Sequence, residues 1–555
     1  MTYNMENYDQ TYQDFKLEVP EYFNFARDIV DKWADEEDKL AMWWVGDEGS
    51  EIKKTFADFK VGSSKLANVL KDLGIKKGDR VFLLLPKVPQ WWETMLALMR
   101  LGAIIMPGTS QLMPKDIKYR FEASDGVAII TDEENAPKVD EVADQIPQLK
   151  VKIVVGQREG WTNYQEAVDA ASSDFTVENT KSDDPAILYF TSGTTGYPKM
   201  TVHTNASYGI GHIITGKFWL DLKPGDLHWN LSDTGWAKAA WSSIFGPWNM
   251  GAAVFVQHSV GKFGPKETLK LLEKYPITTL CGPPTAYRLF VLDDLKKYNF
   301  ASLRHCVAAG EPLNPEVIEV WKKATGTTIR DGYGQTESVL MVATFPCLDV
   351  KFGSMGKPSP GFYVSVIDED ANEVEANQEG DIAVRIKPER PVGLFKEYYN
   401  DPERTQASIR GDWYLTGDRA YKDEDDYFWF VGRADDVIIS SGYRIGPFEV
   451  ESALVEHPAV AESAVVASPH EMRGEVVKAF IILAPGYQGS DDLVKDIQNY
   501  VKSNTAPYKY PREIEFVEEL PKTISGKIRR VELRDQEKKN KLAKMAKGEA
   551  AADKE

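Results

Sequence analysis

From about Lys77 the chain alternates short apolar runs with longer segments whose apolar residues recur at helical spacing. DRVFLLLP (Asp79 to Pro86) is an apolar run of strand length; Trp92, Met95, Leu96 and Met99 then mark one face of a helix. AIIMPG (Ala103 to Gly108), GVAIITD (Gly126 to Asp132), VKIVVG (Val151 to Gly156), AAVFVQH (Ala252 to His258) and HCVAAGEP (His305 to Pro312) repeat the strand theme. Strands alternating with helices predict parallel βαβ units whose sheets are covered on both faces.

After about Ser354 the strands become shorter and glycine-punctuated, as in FYVSVIDED (Phe362 to Asp370) and DIAVRIK (Asp381 to Lys387), which predicts a small β-rich subdomain. A second shift follows VGRADD (Val431 to Asp436). Beyond it the pattern predicts a helix with Pro447 in its first turn, strands at ESAVVAS and VVKAFIIL, a helix near Asp491 to Asn504 and a strand around Ile514 to Val517. The expected class is α/β: a large N-terminal domain over residues 1–434, with the β-rich subdomain inside it, then a small α+β domain over 435–555. The charged, aromatic-free tail from about 536 reads as frayed helix or disorder.

Composition narrows the function. At 555 residues and 43% hydrophobic content the chain can build more than one core. Its net charge of −19 repels nucleic acids and anionic membrane surfaces, so no nucleic-acid partner and no membrane insertion are expected, and an anionic ligand must be met by a local cluster of donors. The first residues are acidic and aromatic, without the basic and apolar regions of a secretory signal, which gives a cytoplasmic expectation. The three cysteines, Cys281, Cys306 and Cys347, lack metal-binding or disulfide spacing.

One loop has the character of such a cluster. In YFTSGTTGYPKM (Tyr189 to Met200) an apolar strand runs into four hydroxyls and two glycines and then Lys199, giving donors, a backbone able to curl around an anion, and a point charge. Its spacing of Gly193, Gly196 and Lys199, with Pro198 before the lysine, does not fit the P-loop of NTPases. Taken alone it is also readable, though less readily, as a polar surface turn. Further segments add to it in order. DGYGQTES (Asp331 to Ser338) offers Tyr333 to stack on a base, Thr336 to bind a phosphate oxygen and Glu337 to hold a hard divalent cation. YLTGDRA (Tyr414 to Ala420) puts Asp418 after a glycine turn, where a carboxylate can accept from vicinal ribose hydroxyls. FVGRADDVIISSGYRIGPFEVE (Phe430 to Glu451) sets Arg433 and Arg444 either side of an apolar run, and PKTISGKIRR (Pro521 to Arg530) carries Lys527 after a Ser-Gly pair.

These segments, in this order, resemble the adenylate-forming superfamily of acyl-CoA synthetases, luciferases and peptide-synthetase adenylation domains. PGTSQL (Pro107 to Leu112), SDTGWAK (Ser232 to Lys238), SSGYRIGPFEVE and RGEVVKAF (Arg473 to Phe480) look most like the medium-chain acyl-CoA synthetases. The resemblance implies an AMP-forming acid–thiol ligase: a carboxylic acid and MgATP give acyl-AMP and pyrophosphate, and CoA then gives acyl-CoA and AMP. By motif match Thr191, Ser192, Gly193, Thr194, Thr195, Gly196 and Lys199 hold the outer phosphates. Glu311, Pro312, Asp331, Gly332, Tyr333, Gly334 and Gln335 frame the adenine. Thr336 meets the α-phosphate, Glu337 the Mg²⁺, Asp418 and Arg433 the ribose, and Arg444 a phosphate. Lys527 is the catalytic lysine, carried by a small domain that rotates about Asp435.

The rotated state would present Ser441, Gly442 and Tyr443 to CoA, with Gln111 and Arg473 near its nucleotide. Trp236, Gly310 and Gly334 match acyl-pocket positions. Acetyl-CoA synthetases carry a tryptophan where this chain has Gly334, so the expected acid is larger than acetate: medium-chain, branched short-chain or aryl. Loading of a carrier protein instead of free CoA, and a nucleotide sensor without turnover, stay open as rivals. So does the oligomeric state, a homodimer included.

Overall fold

The computed structural model describes residues 2–191, 198–259, 261, 263–311, 313–441, 443–470, 472–523 and 527–546, with main chain only at 444 and 542–546. The chain divides into two compact units. The first comprises Met1–Phe352, Gly356–Tyr363 and Arg385–Asp412, and the second Gly353–Met355, Val364–Val384 and Trp413–Glu555. By this division the β-rich segments 364–384 and 413–434 pack with the C-terminal residues, and the boundary expected at 434/435 runs inside the second unit.

The first unit holds two large sheets. In one, Leu40–Val45, Ala253–Gln257, Leu227–Asn230, Thr279–Gly282, His305–Ala309 and Ile329–Tyr333 lie side by side and parallel, with antiparallel strands at both edges. In the other, Val151–Val155, Ala128–Asp132, Arg80–Leu84, Ile104–Pro107 and Pro185–Thr191 are parallel, and Lys199–Thr204 turns back against the last. The apolar runs read from the sequence are the centres of these strands.

The helix expected from the stripe of Trp92, Met95, Leu96 and Met99 spans Pro89–Leu101, but it is buried on nearly every side. One stripe therefore understates its burial, because both its polar faces are paired inside the protein. Glu93 meets Lys54 at 2.5 Å and the Tyr164 hydroxyl at 2.8 Å. Arg100 forks Asp31 at 2.6 and 3.0 Å and reaches Ser63 at 2.8 Å. Buried charges persist when their partners are built in this way.

In the second unit, Val364–Ile367, Gly380–Arg385, Trp413–Lys422 and Phe428–Arg433 form one sheet. Ile438–Ser440, Tyr443–Ile445, Gly474–Leu483, Val460–His470 and Glu513–Phe516 form another, packed by helices Pro447–Val455 and Asp491–Asn504. The described part of the tail takes the helical of the two expected forms, and it is anchored. Residues Arg530–Ala546 are helical, and Glu537 is buried, accepting from Lys478 at 2.6 Å and Ser468 at 2.7 Å. A charged sequence without aromatics hid this because Glu537, the position beyond 535 that is buried among the described residues, is ionic.

Candidate active site

The hairpin Pro185–Thr191 and Lys199–Thr204 carries the loop expected to cradle phosphate, with Thr191 opposite Lys199 across the strand pair. Ser192, Gly193, Thr194, Thr195 and Gly196 lie outside the described residues. Alternation puts Lys199, Thr201 and His203 on one face of the returning strand. Tyr398, on the short strand Glu397–Tyr398, lies opposite Thr201. The Lys199 ammonium stands 5.3 Å from the centre of the Tyr398 ring, within cation–π range, and the Tyr398 hydroxyl donates to the buried Glu337 carboxylate at 2.8 Å.

His203, fully buried, makes a second link. Its Nε2 donates to the Thr336 carbonyl at 2.6 Å, leaving Nδ1 to accept from the Ser207 hydroxyl at 3.0 Å. Loss of hydration lowers this imidazole to about 4, so the ring is neutral and its tautomer is set by the carbonyl. Two side chains thus tie the phosphate-loop hairpin to Thr336 and Glu337.

The positions expected to frame the nucleotide lie beyond the carboxyl ends of two neighbouring parallel strands, where open α/β sheets bind ligands. Ala308 pairs with Asp331 and Ala309 with Gly332, so Gly310 and Glu311 follow one strand while Tyr333, Gly334 and Gln335 end or follow the other. Gly310 turns with φ at 103°, a conformation suited to glycine. Arg288 holds the Glu311 carboxylate at 2.8 Å, and Thr285 donates to it at 3.2 Å. Pro312 lies outside the described residues. Burial pushes Asp331 up to about 7, against the opposing pull of the Gly332 amide at 2.8 Å, the Lys238 ammonium and the Leu313 amide. Lys238 donates to the Ala309 carbonyl at the same strand ends.

Packing qualifies two glycines. A Cβ at Gly332 would sit 2.3 Å from the Trp219 indole, so glycine there lets a helix side chain lie against the strand. A Cβ at Gly334 would sit 2.8 Å from the Val339 carbonyl oxygen, so its first bond would point at main chain and not into free space. The half-buried Trp236 precedes helix Ala237–Ala240 and is not a core residue. Its segment packs on Pro107–Leu112, where Thr109 reaches Asp233 at 3.3 Å, and Gln111 in that segment is exposed.

The second unit gathers the remaining positions. Gly417 at φ 76° turns Asp418 inward, where it is buried and pairs in register with Arg433. The Arg433 Nε lies 3.9 Å from both Asp418 and Asp435. Ser441, itself at φ 50°, donates its amide to the Arg473 carbonyl at 3.0 Å and accepts from the Arg473 guanidinium at 3.3 Å. Tyr443 is exposed and stacks on Tyr508 at 4.3 Å. Gly442 lies outside the described residues, and Arg444 is a strand residue. Lys527 is exposed; its amide donates to the Thr523 hydroxyl at 3.1 Å and its carbonyl accepts from the Thr523 amide at 2.7 Å.

The profile described as AMP-binding enzyme matches residues 30–399, and that of the AMP-binding enzyme C-terminal domain matches 449–527. The chain belongs to the AMP-binding enzyme family. The acyl-coenzyme A synthetase ACSM3, mitochondrial, of Mus musculus is 53% identical over 545 residues, covering 96% of this chain and 94% of the relative. The acyl-coenzyme A synthetase ACSM4, mitochondrial, of Homo sapiens is 52% identical over 530 residues, covering 94% and 91%. Among solved structures, the anthranilate CoA ligase AuaEII in complex with anthranoyl-AMP superposes with a TM-score of 0.87 at 29% identity, covering 94% of this chain and 99% of that one. The Brucella canis acyl-CoA synthetase superposes at 0.75 with 35% identity, covering 97% and 100%.

Within the family the chain is an ATP-dependent, AMP-forming acyl-CoA synthetase working through an acyl-AMP intermediate, as the resemblance implied. The cytoplasmic expectation falls: both relatives are named as mitochondrial. The composition of the first residues does not test for other addresses, which receptors read from separate segments and not from the folded body. Among the described residues no helix is long and apolar enough to cross a membrane.

His203, Tyr398 and Arg288 escaped the sequence reading. His203 had one signal, an imidazole on a strand shortly after the phosphate loop. Tyr398 and Arg288 had none, because each meets its partner only through strand order.

Proposed function

We propose that the chain activates a carboxylic acid larger than acetate in the first unit's strand-end crevice, with Lys527 serving the first half-reaction and the rotated small domain the second. The convergence of Lys199, Thr336 and Glu337 through Tyr398 and His203 supports this reading. Thr191 to Lys199 grip the β- and γ-phosphates, with the Lys199 ammonium as fixed charge. Asp331, Tyr333 and Glu311 frame the adenine, Glu311 being oriented by Arg288. Asp418 accepts from the ribose hydroxyls beside Arg433, and Arg444 faces phosphate.

In the first half-reaction a carboxylate oxygen attacks the α-phosphorus and the bond to pyrophosphate breaks. Thr336 donates to the α-phosphate, and Lys527 neutralises charge moving between carboxylate and phosphate. In the second the CoA sulfur attacks the acyl carbonyl, the bond to AMP breaks and the thiol proton is lost. Domains 1–434 and 435–555 rotate about Asp435 between the steps, bringing Ser441, Gly442 and Tyr443 to the pantetheine, with Gln111 and Arg473 near the CoA nucleotide.

Magnesium fits Glu337. Among the described residues no group of three or more metal-ligating side chains occurs, and one buried carboxylate suits an ion that keeps waters and substrate phosphates as its other ligands. The ion would neutralise phosphate charge, with Tyr398 holding the carboxylate in place.

The acid is a medium-chain, branched short-chain or aryl acid, with Trp236, Gly310 and Gly334 at its pocket. The solved neighbour holding anthranoyl-AMP favours inclusion of aryl acids. Acid-dependent pyrophosphate exchange into ATP, run from acetate to long-chain, branched and aryl acids and followed by consumption of free CoA thiol, tests the reading. Exchange greatest with acetate would overturn the size assignment; exchange without CoA consumption would point to a carrier-protein acceptor.

A further inference from the structure

The helix that follows Lys527 reaches back to the proposed hinge. From Arg530–Ala546 the Arg534 Nη1 donates to the Asp435 carbonyl and to the Asp436 carboxylate, the latter at 2.8 Å. One turn earlier on the same face, Arg530 forks Glu451 at 2.5 and 3.0 Å, and Glu451 accepts the Val465 amide at 2.8 Å. Glu537, farther along, is fixed by Lys478 and Ser468. The helix is thus bolted to the small domain's sheet at several points, and Arg534 extends that rigid body to the peptide joining residues 435 and 436.

Backbone geometry says what such a bond does. The carbonyl of a residue turns with the chain that follows it, whether φ or ψ of that residue changes. Rotation at Asp435 therefore carries its carbonyl, Asp436 and Arg534 together and leaves both hydrogen bonds intact. Rotation at 436 or 437 would break the bond to the Asp435 carbonyl. On the other side of Asp435, Arg433 approaches the Asp435 carboxylate at 3.9 Å and belongs to the preceding strand.

We propose that Arg534 is a positioning residue that confines domain rotation to the dihedrals of Asp435 by locking the next peptide to the rotating body. Since Lys527 precedes the same helix by three residues, the lock also makes a stiff arm from pivot to catalytic lysine. The inference rests on the reading of Asp435 as hinge.

Suppression of a hinge block separates the two readings. Asp435→Pro fixes φ at the pivot, so thioester formation with CoA should fall about tenfold while pyrophosphate exchange stays within about twofold. Adding Arg534→Met frees residues 436 and 437 to turn, and thioester formation should recover at least about fivefold over the single variant. Arg534→Lys, which keeps a donor in reach, should recover less. Undiminished thioester formation in Asp435→Pro would remove the hinge; a block that Arg534→Met leaves in place would overturn the lock alone. Exchange reports folding in each variant. If the Arg534→Met pair loses exchange, Asp435→Pro with Asp436→Asn carries the same expectation at about twofold recovery, and no recovery there also overturns the lock.

Discussion

His203 and Thr336, 133 residues apart in sequence, are joined by a 2.6 Å hydrogen bond from a neutral, fully buried imidazole to a main-chain carbonyl. The bond fixes the residue proposed for the α-phosphate to the strand that leaves the phosphate loop. Positioning of this kind is where an enzyme without a covalent intermediate finds its rate. His203→Ala should slow pyrophosphate exchange about tenfold and leave thioester formation from supplied acyl-AMP within about twofold. Half-reaction rates on the purified variant check it; equal loss in both would make His203 merely structural.

The same burial has a pH consequence. His203 lies near 4, His228 and His305 near 3, and His212 well below the ordinary 6.5, all through loss of hydration. From pH 6.5 down to about 4 the unfolded chain binds protons at these rings that the native state refuses, so stability falls as pH falls, by about 1.4 kcal/mol per unit for each ring. Urea midpoints between pH 7 and 4.5 measure the slope. His203→Gln retains a donor for the Thr336 carbonyl but cannot titrate, and should shallow the slope by about one proton.

Asp331 runs the other way. Its carboxyl is raised to about 7 by burial, so an ionised form suited to accepting from the adenine amino group appears as pH rises through that value. KM for ATP should fall over this interval. Asp331→Asn should flatten the profile, and Lys238→Met, which removes a charge favouring the carboxylate, should move the inflection upward. An inflection unmoved in both variants would assign it to another group.

Tyr398→Phe removes the 2.8 Å donor on Glu337 while keeping the ring beneath Lys199. Partners of a metal-ligating carboxylate typically govern affinity by ten- to a hundredfold. The magnesium concentration for half-maximal exchange should rise about tenfold. An unchanged midpoint would leave Tyr398 with packing alone.

How much was legible follows from the kind of signal. Parallel strands were readable because burial on both faces forces continuous apolar runs, as at Arg80–Leu84 and His305–Ala309. Thr191, Lys199, Asp331 and Thr336 could be proposed from sequence because their neighbours form long ordered motifs. Tyr398 was not, since it reaches Glu337 by pairing with Lys199–Thr204, a fact of strand order. Arg534 was hidden for a related reason: in a run of charges, the one that grips a main-chain carbonyl looks like its solvated neighbours.

Gly334 is the position at which the pocket argument can be tested. A larger residue was expected to fill space that glycine leaves empty, yet its Cβ would stand 2.8 Å from the Val339 carbonyl. Gly334→Ala should therefore cost stability, about 1–3 kcal/mol, by displacing main chain at 339–340. Gly334→Trp can close the acyl pocket only after that displacement. It should then shift kcat/KM towards acetate and propionate by about fourfold for each methylene excluded, the worth of about 0.8 kcal/mol. Chain-length profiles of both variants distinguish the effects. If alanine alone shortens the preferred acid as much as tryptophan does, the 339–340 backbone, and not the side chain at 334, sets the size of the acid.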